Sequence, residues 1–555
     1  MQRISSFART IIGLPARRNF SGLMGLICVM ALVSLNFQQV TSKGMHHTLT
    51  WGTYQDSEGM AIAISDLVYH LNQGYLAYAD VLRALDSRLG ASNVPGDTSR
   101  IELARNGGHI NNAIKAAMSL EQITIIAPMS ALDFYPVVRR QLIPVYAEDV
   151  GRSDYYKLAF SLFGFEVESM HYLYFLMLLL SSLLFWAGFQ RNVVAMGTLI
   201  ASLTVLILLI NSNLFSETLP SVSSYRGVSA LALIPVIHLV LCLYYREPWK
   251  SPAGFTAILQ TCILVFAIWS RASAQWAVLA VVLMAGFVWL RRIWSDHRPV
   301  ILWPLVLVLG GVAILNLYAR YAVHQVYFTE QLVAGHFFWH SAYIGLQKHP
   351  RWPFSEVGDD APFRHAARYL AVTRPDINPT QAPITSSYWM GLHDAAVREV
   401  FIEFARENPR YMMELYAWWK PGDFVSFYVA AARPFLNVVS LLFFTLFVTA
   451  FGLGLFWRQG SWRGVIHPIM TVTGAVALAS LAPLMWAYPA PHVMTDSIWA
   501  MTSFLWACAI GVLGLVYRLV ASLKVNWASE RAVGTLSRIL AEKYRSKVPK
   551  RSSGR

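Results

Sequence analysis

Long apolar runs separated by short polar segments dominate the pattern of this chain. Each run is close to the ~20 residues that a helix needs to cross the hydrocarbon core of a bilayer. The runs cover residues 23–40, 170–189, 193–212, 227–245, 254–270, 274–291, 299–318, 435–456, 465–487 and 497–517. The pattern therefore predicts about ten transmembrane helices and an all-α polytopic membrane protein.

Two long polar stretches interrupt this series. The predicted organisation is a basic N-terminus (1–22), a signal-anchor helix (23–40), a first loop (41–168), six transmembrane helices (169–318), a second loop (319–434), three transmembrane helices (435–517) and a basic tail (518–555). Apolar spacing within the first loop predicts helices over 61–85, 110–118 and 130–140, with a turn over 106–109. Short surface helices are expected in both loops.

Composition supports this class and orients the chain. Of the 555 residues 55% are hydrophobic and only 14% are charged, and the mean hydropathy is +0.44. The net charge of +14 lies in the N-terminus, the short loops and the tail, which is the pattern of cytoplasmic segments. We therefore exclude nucleic acid as a partner and expect cytoplasmic termini, two extracytoplasmic loops and a tail on anionic lipid.

Charged residues gather where predicted spans meet the outer face. Asp56 and Glu58 follow the first span, and Arg226, Arg271 and Lys420 lie at the ends of later segments. Ionisable groups at that depth are costly unless they are paired or functional. A partly buried carboxylate could deprotonate an acceptor hydroxyl, and a guanidinium grips phosphate with two parallel hydrogen bonds.

Three short motifs carry a resemblance. They are Tyr54-Gln55-Asp56-Ser57-Glu58-Gly59, Trp269-Ser270-Arg271-Ala272, and the run from Phe401 to Tyr411 that contains Asn408-Pro409 and is followed by Lys420. With the topology, these motifs resemble the GT-C superfamily of membrane glycosyltransferases, which includes aminoarabinose, protein O-mannosyl and arabinofuranosyl transferases. The usual pair of adjacent carboxylates is replaced here by Asp-x-Glu.

The resemblance implies an inverting transferase that moves a sugar from a polyprenyl phosphate to an extracytoplasmic glycan, lipid or protein. The enzyme would lie in a bacterial inner membrane with its site facing the periplasm. The expected base is Asp56, with Glu58 beside it, and the expected phosphate ligands are Arg271, Arg226 and Lys420. The expected substrate contacts are Tyr54, His109, His336, Trp339 and His340. No metal is required by this scheme.

Structural explanations compete with these roles. Asp56 could cap a helix that begins near Ser57, and Glu58 could interact with the dipole of that helix. Arg271 could extend to the interface, and Lys420 could simply flank a span. Asp359-Asp360 is an alternative base, or, with His336 and His340, a site for a divalent cation.

Two other functions remain open from the sequence. An enzyme resembling O-antigen ligases would depend on His336, His340, Arg364 and His365 rather than on Asp56. A flippase or transporter of lipid-linked sugars would need charges at mid-span, where His238 is the main polar exception. No sequence repeat of the kind found in two-halved transporters is evident.

Overall fold

The structure is a computed structural model. It describes residues 14–42, 53–70, 74–89, 107–121, 142–144, 149–211, 227–295, 302–324, 338–358, 360–375, 387–423, 463–486 and 499–505, with a few isolated positions beyond these ranges.

Helices account for nearly all of these residues. The helices of the N-terminal half are α1 (Leu14–Ser42), α2 (Thr53–Leu67), α3 (Ala79–Leu89), α4 (Gly107–Met118), α5 (Arg152–Phe163), α6 (Glu168–Phe189), α7 (Val193–Asn211), α8 (Leu233–Tyr245) and α9 (Pro252–Ser270). The later ones are α10 (Val278–Ser295), α11 (Trp303–Ala322), α12 (Phe338–Leu346), α13 (Asp360–Thr373), α14 (Ser387–Glu407), α15 (Pro409–Glu414) and α16 (Arg463–Trp486). Short 3-10 helices cover Val228–Ala232 and Ala272–Ala277, and a π-helical turn covers Leu415–Trp419.

Within the described part of the chain, five helical segments are long and apolar enough to cross a membrane. They are Glu168–Phe189, Val228–Tyr245, Pro252–Ser270, Ala272–Arg291 and Trp303–Ala322. Each of these segments coincides with a predicted span. An apolar run in lipid forms a helix because its backbone N–H and C=O groups must then bond to one another. The predictions of a helical fold and of a membrane protein are thus confirmed. The predicted spans over 23–40, 193–212 and 465–487 contain shorter apolar helices, Gly25–Gln38, Val194–Ile207 and His467–Ala482. The predicted span over 435–456 and most of that over 497–517 lie outside the described residues.

The first loop differs from its prediction in three places. The helix expected over 61–85 ends at Leu67, and a strand, β1 (Leu76–Tyr78), precedes α3. β1 pairs antiparallel with β2 (Leu142–Pro144), a small exception to the all-helical architecture. The turn expected over 106–109 is wrong, because α4 already begins at Gly107. The helix predicted over 130–140 lies outside the described residues.

One end of the helix bundle is defined by contacts among helix termini. The Tyr244 hydroxyl, near the end of α8, lies 2.9 Å from Nδ1 of His467, near the start of α16. The Trp303 indole, at the start of α11, donates to the Glu247 carbonyl just after α8. The end of α8 and the starts of α11 and α16 therefore share this end.

Both long polar stretches contact the opposite end. The backbone N–H of His324, just after α11, donates to the Gly74 carbonyl at 2.9 Å. The Lys420 ammonium donates to the carbonyls of Met485 and Trp486 at the end of α16, each at 2.8 Å. The first loop and the second loop thus lie at the same end of the bundle, beside the functional candidates.

Two separate hydrophobic cores hold the described residues together. The larger core joins the bundle helices to α2–α5 of the first loop. The smaller one lies within residues 338–423, hereafter the second unit, and involves α12, α13, α14 and Leu415. The second unit therefore packs as a body of its own that meets the bundle at Trp486, which is partly buried against its core.

Candidate functional site

Four buried charged side chains meet where the first loop contacts the bundle. Glu58 lies on α2, Asp149 and Arg152 lie at the start of α5, and Arg271 separates α9 from the next 3-10 helix. None of the four is more than 3% exposed. We call these residues the buried charge cluster.

The pair of Asp149 and Arg271 joins the first loop to the end of a span. Arg271 has an extended backbone, with φ −148° and ψ 107°, so α9 stops there. Its Nη1 donates to Asp149 Oδ2 at 2.8 Å, and the backbone N–H of Ala272 donates to Asp149 Oδ1 at 2.8 Å. One carboxylate therefore fixes both the guanidinium and the start of the following 3-10 helix.

A second ion pair lies beside the first. Arg152 Nη2 is 3.4 Å from Glu58 Oε2, and both side chains are almost completely buried. Arg152 and Asp149 are three residues apart, so the start of α5 carries one member of each pair. The four formal charges balance, which reduces the cost of placing them in a low-dielectric interior.

Two glycines allow this close approach. A Cβ on Gly59 would lie 2.7 Å from the Tyr156 ring and 2.9 Å from Arg152 Nε, so α2 and α5 touch at this position. A Cβ on Gly151 would lie 2.3 Å from the Trp269 carbonyl oxygen, which is backbone and cannot swing away. The glycines beside Glu58 and between Asp149 and Arg152 therefore let α2, the start of α5 and the end of α9 pack closely around the two ion pairs.

The predicted base lies on the same helix as Glu58. Tyr54 and Asp56 fall in the first turn of α2, which begins at Thr53. Asp56 is therefore inside the helix, and its expected role as an N-cap of a helix starting near Ser57 is wrong. The side chains of Tyr54 and Asp56 lie outside the described part of the chain. Glu58 is two residues further on, so its position lies on nearly the opposite face of the helix from that of Asp56. Glu58 forms an ion pair with Arg152, which favours a positioning role.

Other predicted residues cannot be placed in this cluster from the described contacts. His109 lies in α4, but its side chain is outside the described part. Arg226, His336 and Asp359 lie outside the described residues altogether. Asp360 is at the start of α13, exposed, and 3.8 Å from Arg364 Nη2.

Lys420 and Trp339 lie at the joint between the second unit and the bundle. Burial lowers the pKa of Lys420 to about 7, and its ammonium lies 4.4 Å from the centroid of the Tyr416 ring. Trp339 packs against Trp486, with ring centroids 5.8 Å apart. Phe338 stacks on the same indole at 4.9 Å. These contacts indicate that Lys420 and Trp339 hold the second unit against the end of α16.

His340 belongs to a histidine pair that the sequence did not reveal. Its Nδ1 lies 3.0 Å from Nε2 of His393, which is fully buried on α14. Burial, reinforced by His340, lowers the pKa of His393 to about 3. Phe363 stacks on His393 at 4.6 Å. Asp394 accepts hydrogen bonds from the backbone N–H groups of Trp339 and His340, so it fixes the start of α12.

His365 and Arg364 also have partners inside the second unit. The Tyr343 hydroxyl lies 2.5 Å from Nδ1 of His365, and Nε2 of His365 lies 3.8 Å from Glu356. The described residues contain no group of three His, Cys, Asp or Glu side chains arranged to hold a metal ion.

Sequence reasoning missed Asp149 and Arg152. The available signal was Asp149-Val150-Gly151-Arg152, two opposite charges around a glycine, shortly before a span. Arg152 pairs with Glu58 and Asp149 pairs with Arg271, each more than 90 positions away in the chain. The sequence alone therefore could not predict the pairing. Comparison with models of known protein families, with curated proteins and with solved structures finds no match.

Proposed function

We propose that the protein is a membrane glycosyltransferase that takes a sugar from a polyprenyl-phosphate donor at the end of the bundle where both long loops lie. The observation that carries this proposal is the convergence of Glu58, Asp149 and Arg152 from the first loop with Arg271 at the end of a membrane-length helix. A lipid phosphate would reach the protein at this depth, where the polyprenyl chain stays in hydrocarbon.

The two guanidiniums are the proposed phosphate ligands. Arginine stays charged at any physiological pH and binds phosphate bidentately. Arg271 Nη1 donates to Asp149 Oδ2 at 2.8 Å, which holds the guanidinium in place. A bound phosphate would accept hydrogen bonds from the same guanidinium and replace part of this contact. Glu58 would position Arg152 in the same way. Arg226, outside the described residues, stays a predicted phosphate ligand, whereas Lys420 is a weaker candidate because it is engaged at the joint.

Asp56 is the proposed base, two residues before Glu58 on α2. In the transfer step the acceptor hydroxyl loses its proton to the Asp56 carboxylate, and its oxygen forms a bond to the anomeric carbon. The bond from that carbon to the phosphate oxygen breaks on the opposite face, so the configuration inverts. Polyprenyl phosphate leaves as an anion, which the arginines stabilise.

The wider setting is part of the same proposal. We infer about ten spans, cytoplasmic termini and both long loops in the periplasm of a bacterial inner membrane, because the short arginine-rich loops fall on the other side. The acceptor would be a glycan, glycolipid or protein of the cell envelope.

The test uses Asp56→Asn in the full-length protein reconstituted in liposomes. Radiolabelled polyprenyl-phosphate sugars are supplied with envelope glycans and glycolipids as acceptors, and transfer and donor binding are measured separately. We expect transfer to fall at least a hundredfold while donor binding persists. Asp80→Asn, a partly exposed carboxylate of the same loop that pairs with Arg83, is the matched control. Full transfer by Asp56→Asn would refute the assignment of the base.

A further inference from the structure

A second polar group lies next to the buried charge cluster, nearer to solvent. It consists of Asp154 on α5, Tyr75 before β1, Trp269 on α9 and Tyr318 on α11, and we call it the aromatic cluster. Asp154 Oδ2 accepts hydrogen bonds from the Tyr75 hydroxyl at 2.5 Å and from the Trp269 indole at 2.7 Å. The carboxylate is 26% exposed, in contrast to Asp149 at 3%.

The chain adopts an unfavourable backbone conformation to place Tyr75 here. Tyr75 has φ +69°, and Gly74 before it has φ +66°. A bulky side chain rarely adopts the left-handed region, so surrounding contacts must hold it there. One such contact is the hydrogen bond from the His324 N–H to the Gly74 carbonyl. A Cβ on Gly74 would lie 2.5 Å from the His324 nitrogen, so only glycine fits.

Three aromatic rings surround the carboxylate, and one of them faces outward. The centroid of the Trp269 ring lies 6.0 Å from that of Tyr75 and 5.5 Å from that of Tyr318. The Tyr318 hydroxyl is 3.3 Å from the Tyr75 hydroxyl, and Tyr318 is 48% exposed. Tyr318 lies near the end of α11, a membrane-length helix, so the part of its ring that the protein leaves uncovered faces the membrane or its boundary with water. An aromatic ring there, beside hydroxyl, indole and carboxylate groups, offers an apolar surface with polar groups at its edge.

The local charge argues against a second phosphate site. Lys157 Nζ lies 2.5 Å from Asp66 Oδ2 and 3.6 Å from Asp154 Oδ1. Two carboxylates around one ammonium leave a formal charge of −1, which would repel an anion. An uncharged ring with C–H faces and many hydroxyls suits these groups better, because the rings stack on the faces and the polar groups bind the hydroxyls.

We propose that the aromatic cluster binds a pyranose ring, with Tyr318 as the stacking platform and Asp154 as the residue that positions Tyr75 and Trp269. This inference rests on the proposed function. Trp269 precedes Arg271 by two residues, and Asp154 follows Arg152 by two residues, so the aromatic cluster adjoins the proposed phosphate ligands. A sugar on the aromatic cluster would therefore lie beside a phosphate on the arginines. The ring could be that of the donor or that of the acceptor.

The experiment measures sugar binding without requiring transfer. The full-length protein is purified in a detergent that lacks a sugar headgroup, and saturation-transfer NMR is recorded with the methyl pyranosides of glucose, galactose, mannose and arabinose. A second arm uses short-chain polyprenyl-phosphate sugars carrying the same rings. We expect saturation of the ring C–H protons in the wild type and at least a threefold loss in Tyr318→Ala.

The matched control is Tyr321→Ala, because Tyr321 lies on the same helix and is 83% exposed. It should bind sugar like the wild type. Tyr75→Phe, which keeps the ring and removes the hydroxyl, should reduce binding with little effect on folding. A free pyranoside signal that the lipid-linked probes do not displace would assign the acceptor ring. A signal confined to the lipid-linked probes, or displaced by them, would assign the donor ring.

Two results would overturn the sugar site. One is an equal change in the saturation signal in Tyr318→Ala and Tyr321→Ala, and the other is no saturation of any probe by the wild type. If sugar binding is absent while transfer by the wild type and its loss in Asp56→Asn are observed, the sugar site alone fails. If sugar binds and no transfer occurs with any donor, the proposed function alone fails.

Discussion

The buried charge cluster and the second unit lie at the same end of the bundle, but they bury polar groups in opposite ways. In the buried charge cluster, two guanidiniums and two carboxylates are taken out of water as ion pairs. In the second unit, His393 is buried beside His340 with a pKa that keeps it uncharged at neutral pH. The first arrangement keeps buried groups charged by pairing them, and the second keeps a buried imidazole uncharged.

The difference separates two candidate locations for chemistry. On the proposed function, a leaving phosphate needs cationic hydrogen-bond donors, and the buried charge cluster holds two arginines. The second unit buries His365 and His393, whose pKa values burial lowers, and its buried cation, Lys420, is engaged at the joint. Arg364 of that unit is exposed and 3.8 Å from Asp360. The O-antigen-ligase alternative would assign chemistry to His340, Arg364 and His365. His340 and His365 are engaged with His393 and Tyr343, which favours a structural role for them.

The largest expected effect comes from breaking an ion pair in the buried charge cluster. Arg271→Ala would leave Asp149 charged and buried, and we expect the free energy of unfolding to fall by roughly 3–5 kcal/mol. Thermal unfolding in detergent measures this loss. Adding Asp149→Asn should restore part of it, because the stranded charge is removed.

Arg364→Ala is the control for that experiment. Its guanidinium is 62% exposed, so removing it should change the free energy of unfolding by less than about 0.5 kcal/mol. Equal destabilisation by Arg271→Ala and Arg364→Ala would contradict the assignment of Arg271 to a buried ion pair and would remove the contrast between the two regions.

A smaller effect is expected from the pH dependence of the second unit between pH 7 and pH 5. The folded-state pKa of His393 is lowered to about 3, below its ordinary value of 6.5, by burial and by His340. The unfolded chain therefore binds a proton below about pH 6.5 that the folded chain does not. Stability should fall as the pH drops from 6.5 toward 3, at up to about 1.4 kcal/mol per pH unit.

Limited proteolysis of the second unit between pH 7 and pH 5 follows this change. His393→Gln removes the titrating group and should show a weaker dependence on pH, whatever its stability at pH 7. The prediction fails if proteolytic susceptibility rises equally in the wild type and in His393→Gln as the pH falls. His393 would then not control the effect.

The sequence predicted the fold better than the site, for physical reasons. Apolar runs such as 170–189 and 254–270 are local signals, and their helices appear as Glu168–Phe189 and Pro252–Ser270. Arg271 was selected because it interrupts such a run. Its partner Asp149 could not be predicted, because that contact depends on how a distant loop packs on the bundle. The helix over 61–85 failed because apolar spacing does not reveal left-handed residues, and His70, Gly74 and Tyr75 all have positive φ.

The smallest expected effect concerns Lys420, which the sequence assigned to phosphate and the structure places at the joint. Lys420→Met removes two hydrogen bonds to the carbonyls of Met485 and Trp486, and we expect a loss of about 1–2 kcal/mol. Lys250→Met is the control, since Lys250 is also near an aromatic ring, Trp249, but is exposed.

The pH dependence identifies the role of Lys420 more sharply than the size of the loss. Burial lowers its folded-state pKa to about 7 from 10.5, so between these values the unfolded chain holds more protons and stability should rise with pH. A neutral amine still has two N–H groups for the two carbonyls, so the joint persists. Thermal unfolding from pH 7 to pH 9 should show this rise in the wild type and in Lys250→Met but not in Lys420→Met. A rise of the same size in Lys420→Met would mean that another group causes it, and would contradict the lowered pKa of Lys420 at the joint.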